Sequence, residues 1–210
     1  LAATFPVSDP RTSLSLRFSV KEEFSAGKVG GRTEIGDRKR LSGIRYPVSD
    51  FRRAVSIYNG APGLRFDRRA IAAVIHQLDA QATEILGPGR HPPPSGELSI
   101  AFLTDAALAR LHDKFLGDPA ATDVITFAGD PARRQAGEIC VSADAARAFA
   151  LKHGGVPAEE LTLYLVHGWL HLAGHDDLQP AKKRRMRAAE ARALALLRAS
   201  RRIPRFAFAT

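Results

Sequence analysis

Two rhythms of apolar residues run through the chain from residue 54 onward, and each predicts its own element. Val55-Ser56-Ile57-Tyr58 alternates as a short strand that Asn59-Gly60 ends. Ile71, Val74, Ile75, Leu78, Ala82 and Ile85 share one helical face, so a single helix is expected from a cap at Asp67 to about Leu86. Gly87-Pro-Gly and His91-Pro-Pro-Pro form a loop. Leu98 to Leu103 reads as a strand, and Thr104 and Asp105 open a helix through Phe115 with Leu108 and Leu111 facing inward. Residues 123–127 and 138–141 read as two further strands, and Ser142 caps a helix to about Lys152. Pro157 suits a helix first turn, with Glu159 and Glu160 at its positive end. A last helix runs from near Pro180 to about Arg198. This order implies an α+β domain, one mixed β-sheet of about four strands packed with about five helices.

Residues 1–53 show no sustained period. They read as an extension: a disordered arm, a genuine basic tail, or translated sequence ahead of the true start. Residues 54–200 then form the folded domain and residues 201–210 a tail. A core of about 150 residues is long enough for independent stability.

The helix after Pro157 carries Leu161, Tyr164, Leu165, Leu170 and Leu172, apolar on several faces, which predicts burial. It also carries the candidate chemistry. Residues 167–177 read His-Gly-Trp-Leu-His-Leu-Ala-Gly-His-Asp-Asp. His167 and His171 stand four apart, so both imidazoles leave one helix face one turn apart, as two ligands of one zinc ion require. Gly174 offers a helix stop, after which the chain can bring Asp177 back as a third ligand. Three protein ligands leave a fourth position for water, the layout of a catalytic zinc. Asp176 and His175 are the rivals for the third place, with Asp176 also suited to orienting the turn or an imidazole. The spacing resembles the zinc-peptidase helix His-Glu-x-x-His, but Gly168 stands where that helix has its general base, which counts against peptide hydrolysis. Trp169 points off the metal face and reads as core packing or as a base-stacking surface.

The same stretch resembles the signature of the YbeY family of bacterial endoribonucleases. Thr122-Asp123-Val124-Ile125-Thr126-Phe127 is similar to that family's Pro-Thr-Asp-Val-Leu-Ser-Phe block. Leu111-His112-Asp113-Lys114-Phe115-Leu116-Gly117 is similar to its Leu-Asn-x-x-Tyr-Arg-Gly block, and Gly137-Glu138-Ile139-Cys140-Val141-Ser142 to its Gly-Asp-Ile-x-Ile strand. The resemblance spans roughly residues 54–200. It implies a zinc-dependent, single-strand-specific endoribonuclease with one Zn2+ per chain, acting in 16S rRNA 3′-end maturation and ribosome quality control. Its implied partners are 16S rRNA, the 30S subunit, and ribosomal proteins or ribosome-biogenesis factors. Two positions depart from the family. Asp177 stands for its third metal histidine, and Leu116 for an arginine that lines the family's cleft and is associated with RNA cleavage. The second departure gives the alternative expectation, a ribosome-associated RNA-binding factor that keeps the metal site but cleaves weakly or not at all.

Charge adds to this picture. The net charge is +9, and residues 181–205 hold ten Lys or Arg against the single acid Glu190. Lys182, Lys183, Arg184, Arg185 and Arg187, with Lys114, are the expected RNA-binding residues, because such a patch attracts phosphate without sequence preference. A solvated helix face is the plainer reading of the same charges. His76, His91, His112 and His153 read as surface or packing, His112 being nearest the expected cleft. Thr122 and Asp123 read as structural. The lone Cys140 sits in an apolar run and reads as a buried, inert thiol. No apolar run is long enough to span a membrane and no leader pattern opens the chain, so the expected location is cytoplasmic.

Overall fold

The four strands expected from alternation lie side by side in one mixed sheet. The structure, a computed structural model, describes residues 3–5, 53–118 and 120–209. In chain order the elements are β1 (Ala3–Phe5), β2 (Val55–Asn59), β3 (Leu64–Phe66), α1 (Arg68–Ala80), α2 (Ala82–Leu86), β4 (Glu97–Leu103), α3 (Asp105–Leu116), β5 (Val124–Ala128), β6 (Gln135–Ser142), α4 (Ala143–Lys152), α5 (Pro157–Leu172), α6 (Pro180–Ala199) and β7 (Phe206–Phe208). The main sheet runs β1-β5-β6-β4-β2. β2 and β6 are parallel to β4, and β5 is antiparallel to β6.

The period-2 rule sorts the strand residues onto two faces. Leu98, Ile100, Phe102, Val124, Ile139 and Val141 join the large core formed with α1, α2, α4, α5 and α6. Ala101, Leu103, Ile125, Phe127 and Cys140 face the other way, onto Leu108 and Leu111 of α3. Cys140 is fully buried there, as expected, and burial, helped by Glu138, pushes its thiol up.

The expected caps form. Asp67, Thr104 and Ser142 accept from the backbone N–H groups of Arg69, Ala107 and Ala145. The expected helix 67–86 is two helices, broken at Gln81. Past the break, Arg192 of α6 donates two hydrogen bonds, at 2.9 and 2.6 Å, to the Ile85 carbonyl, an acceptor that a helix end leaves open. A third difference is a small second sheet, in which β3 pairs antiparallel with β7. Phe206 thereby packs within 5.9 Å of Phe66 and 5.8 Å of Phe102, fastening residues expected to be a tail. Of residues 1–53, only Ala3–Phe5 and Arg53 lie among the described residues, β1 running parallel to β5. The remainder of that expectation lies outside them.

Candidate metal centre and its cleft

Helix α5 lies directly on the sheet at Gly168. A Cβ there would meet Ile139 Cγ2 at 2.5 Å and Thr126 Cγ2 at 3.2 Å, both in the strands beneath. The residue after the first histidine therefore faces the sheet, and no side chain fits where the zinc-peptidase helix carries glutamate. Trp169 is fully buried and donates its indole N–H to Asp79 at 3.0 Å. It is a core residue, closed to any base. With both neighbours turned inward, His167 and His171 share the remaining face.

The helix ends in a Schellman turn. Gly174 N–H donates to the His171 carbonyl and His175 N–H to the Leu170 carbonyl, with Gly174 at φ 82°. The reversal carries Asp177 back over the helix end. Asp176 turns away: it accepts from Leu178 N–H at 2.8 Å and from Lys182 Nζ at 2.7 Å. His175 contributes its backbone, whose carbonyl lies 3.0 Å from His171 Nδ1, while its ring is buried.

His167, His171 and Asp177 are thus brought together, with one ligand atom of each within 4.8 Å of the others. The two Nε2 atoms are 2.9 Å apart, and His171 Nε2 is 3.8 Å from an Asp177 oxygen. Atoms bound to one tetrahedral zinc lie about 3.3–3.6 Å apart, so these separations bracket the required spacing. The chemistry fits as well. His167 Nδ1 lies 2.6 Å from Glu190 Oε1, and His171 Nδ1 faces the His175 carbonyl. Both partners are acceptors, so each Nδ1 carries the hydrogen and each Nε2 presents its lone pair. Two lone pairs and a carboxylate aimed at one point repel unless a cation lies between them. Burial first, and then His167, pull the His171 imidazole down to about 4, which keeps it neutral and able to ligate at neutral pH.

Glu190 is the residue that sequence reasoning missed. It stood out only as the single acid in a basic helix, and nothing local ties it to a histidine 23 residues earlier. Its carboxylate fixes the tautomer of His167 and balances charge on the centre.

A cleft of about 240 Å³ opens on the centre from one side. Asp123, Val124, Phe149, Glu160, Leu163, Tyr164, Lys183 and Glu190 line it with His167 and Asp177. The side chains of His167 and Asp177 are 15% and 14% exposed, against 2% for His171. Glu160, Tyr164, His167 and His171 recur along one stripe of α5. Glu160 and Tyr164 are hydrogen-bonded; burial first, and then Asp123, push both groups up. Asp123, expected to be structural, is also part of this wall.

The expected RNA-binding residues lie on two helices, five of them on α6 and Lys114 on α3. Lys183 lines the cleft, whereas Lys182 is tied to Asp176. Arg184, Arg185 and Arg187 are exposed on α6. Lys114 sits 5.7 Å from the Phe115 ring near the end of α3. The other histidines serve packing and turns. His112 is buried with Nδ1 at 3.0 Å from the Ala120 carbonyl, and His76 Nε2 is 3.0 Å from the Arg53 carbonyl. His91 is exposed.

The chain is similar to known proteins over much of its length. The family model described as Endoribonuclease YbeY matches residues 65–198. The chain is 42% identical over 112 residues to the Endoribonuclease YbeY of Chlamydia pneumoniae, covering 50% of this chain and 71% of that one. It is 38% identical over 119 residues to that of Protochlamydia amoebophila, covering 55% and 78% respectively. Among solved structures it is similar to a solution structure from Thermotoga maritima, with 18% identity, 70% and 94% of the two chains covered, and a TM-score of 0.46.

Proposed function

The chain belongs to the YbeY family, and from that premise we propose that it is a zinc-dependent endoribonuclease that cuts single-stranded RNA. In this reading it acts in the cytoplasm on 16S rRNA, in 3′-end maturation and ribosome quality control, with the 30S subunit and ribosomal or ribosome-biogenesis proteins as partners. No helix among the described residues is long and apolar enough to cross a membrane.

The observation that carries the reading is the convergence of His167 Nε2, His171 Nε2 and Asp177, with both Nδ1 atoms held by acceptors. These three side chains would hold one zinc ion. When bound, zinc supplies Lewis acidity for phosphodiester hydrolysis. Glu190 keeps the Nδ1 proton of His167 in place. Lys183, on the cleft rim, offsets charge on the phosphate at the centre. Gly168 counts against the peptidase alternative, because the helix position after His167 faces the sheet and cannot carry that helix's glutamate. The test is cleavage of single-stranded RNA by the zinc-loaded protein beside its His167→Ala variant. The expected result is cutting by the first only; equal cutting by both ends the proposal.

One observation favours a second reading, an RNA-binding factor with a retained metal site and weak cleavage. Leu116, the last residue of α3, stands where the family's cleft arginine is expected, and leucine cannot bind phosphate. Salt-dependent binding to small-subunit RNA without metal-dependent cutting is the outcome that would select it.

A further inference from the structure

The cleft beside the metal centre has an odd composition for a nuclease. Four of its lining residues are acidic, Asp123, Glu160, Asp177 and Glu190, and Lys183 is its one cation among the described residues. Even with a divalent ion at one end, the far wall of Asp123 and Glu160 repels phosphate. At about 240 Å³ the space lies below the ~300–1,000 Å³ of a drug-sized ligand site. It suits one small planar group whose edge offers N–H donors to carboxylates.

An exposed aromatic ring also lines this cleft. Phe149, on α4, is 48% exposed, whereas the buried core takes in most large apolar side chains of the domain. The ring is not loose. His153 stacks on it with centroids 4.1 Å apart and planes at 29°, and His153 Nδ1 is 2.8 Å from the Phe149 carbonyl. One face of the ring is thereby backed, and Phe149, but not His153, borders the cleft. A pre-positioned aromatic face costs little entropy to use. Single-stranded RNA offers unstacked bases to such faces.

We infer that Phe149 is a stacking platform for one nucleobase of single-stranded RNA, next to the scissile phosphate. The base enters the acidic cleft and its N–H edge turns toward Glu160 and Asp123, while the phosphodiester stays at Lys183 and the metal centre. A duplex keeps its bases stacked on each other and cannot make this contact, which gives the site a physical basis for single-strand preference. The inference rests on the RNA-cleaving reading proposed above.

The experiment measures binding of the zinc-loaded full chain to a short, cleavage-resistant 2′-O-methyl oligonucleotide. A matched set carries one abasic position walked along the strand. Phe149→Ala is expected to weaken binding roughly 5- to 150-fold, the usual loss for one base–aromatic stack. Phe149→Trp is expected to retain it. One abasic position should cost the wild type a similar factor and cost Phe149→Ala nothing further. Unchanged binding by Phe149→Ala, or full retention by Phe149→Leu, overturns the inference and leaves the ring to a protein contact. Zinc content and thermal midpoint of each variant show that the fold is intact. Failure of the wild type to bind or cut any single-stranded RNA refutes the RNA reading itself, a separate result from a Phe149 variant that behaves as wild type.

Discussion

Helices α5 and α6 pack against each other and carry opposite kinds of sequence. α5 is apolar nearly all round, with its two histidines on the one face left free. α6 is basic, with only Met186, Ala189, Ala193 and Leu197 buried. Charge density alone would make α6 the RNA helix and α5 the core. The structure divides the work differently. Several α6 charges hold the fold or the centre: Lys182 fastens Asp176 after the Schellman turn, Arg192 closes the end of α2, Arg198 pairs with Glu159, and Glu190 orients His167. A charged run is therefore a set of individual contacts, and only those left at the cleft or in solvent remain for a ligand.

The comparison breaks most severely at the histidines. His171→Ala should abolish zinc binding and lower RNA cleavage on the order of a thousandfold or more, the several kcal/mol a catalytic metal supplies. Glu190→Ala tests whether α6 serves the centre. Zinc affinity, by competition with a chelator, should fall roughly 10- to 100-fold, as for other residues that orient a ligating imidazole. Exposed Arg184→Ala on the same helix should leave it unchanged. Equal affinities for these two variants would return Glu190 to the solvated face.

Gly168→Ala probes the contact of α5 with the sheet. The added methyl meets the branched Ile139 side chain at 2.5 Å, which cannot swing aside as a flexible chain end would. A loss of roughly 1–3 kcal/mol in denaturant unfolding is expected, despite alanine's better helix propensity. Replacing Arg184, Arg185 and Arg187 together should reduce the salt dependence of RNA binding by up to about one unit of slope for each residue that touches phosphate. Cleavage at saturating RNA should hardly change.

The smallest effect lies in the bridge between the helices. Arg198 donates to Glu159 at 2.6 and 3.3 Å, with both side chains about half exposed. That hydrogen bond holds the Glu159 carboxyl below its usual value. The pair's stabilisation is therefore present above the unfolded carboxylate pKa and is lost as pH falls through the lower folded value. A double-mutant cycle at neutral pH should give less than about 1 kcal/mol, shrinking with salt.

What could be read in advance was local. The centre lies within eleven residues, and helix spacing plus one glycine turn are enough to bring His167, His171 and Asp177 together. The caps and the inward faces of the strands follow from equally short-range rules. What stayed hidden depends on contacts far apart in the chain. Glu190 is invisible until α6 is laid against α5. The hydrogen bonds that close the end of α2 join Arg192 to Ile85, 107 residues earlier. The pairing of Leu64–Phe66 with Phe206–Phe208 joins nearly opposite ends of the domain, through strands too short to show a period. The exposure of Phe149 was equally unreadable, because its place in the sequence is an ordinary position on an amphipathic helix.

The central claim, that His167, His171 and Asp177 hold a zinc ion, is tested most directly by elemental analysis of the purified protein beside its Asp177→Ala variant. About one zinc per chain in the wild type and its loss in the variant is the predicted result. Equal zinc in both would remove Asp177 from the ligand set, and no metal in either would contradict the account.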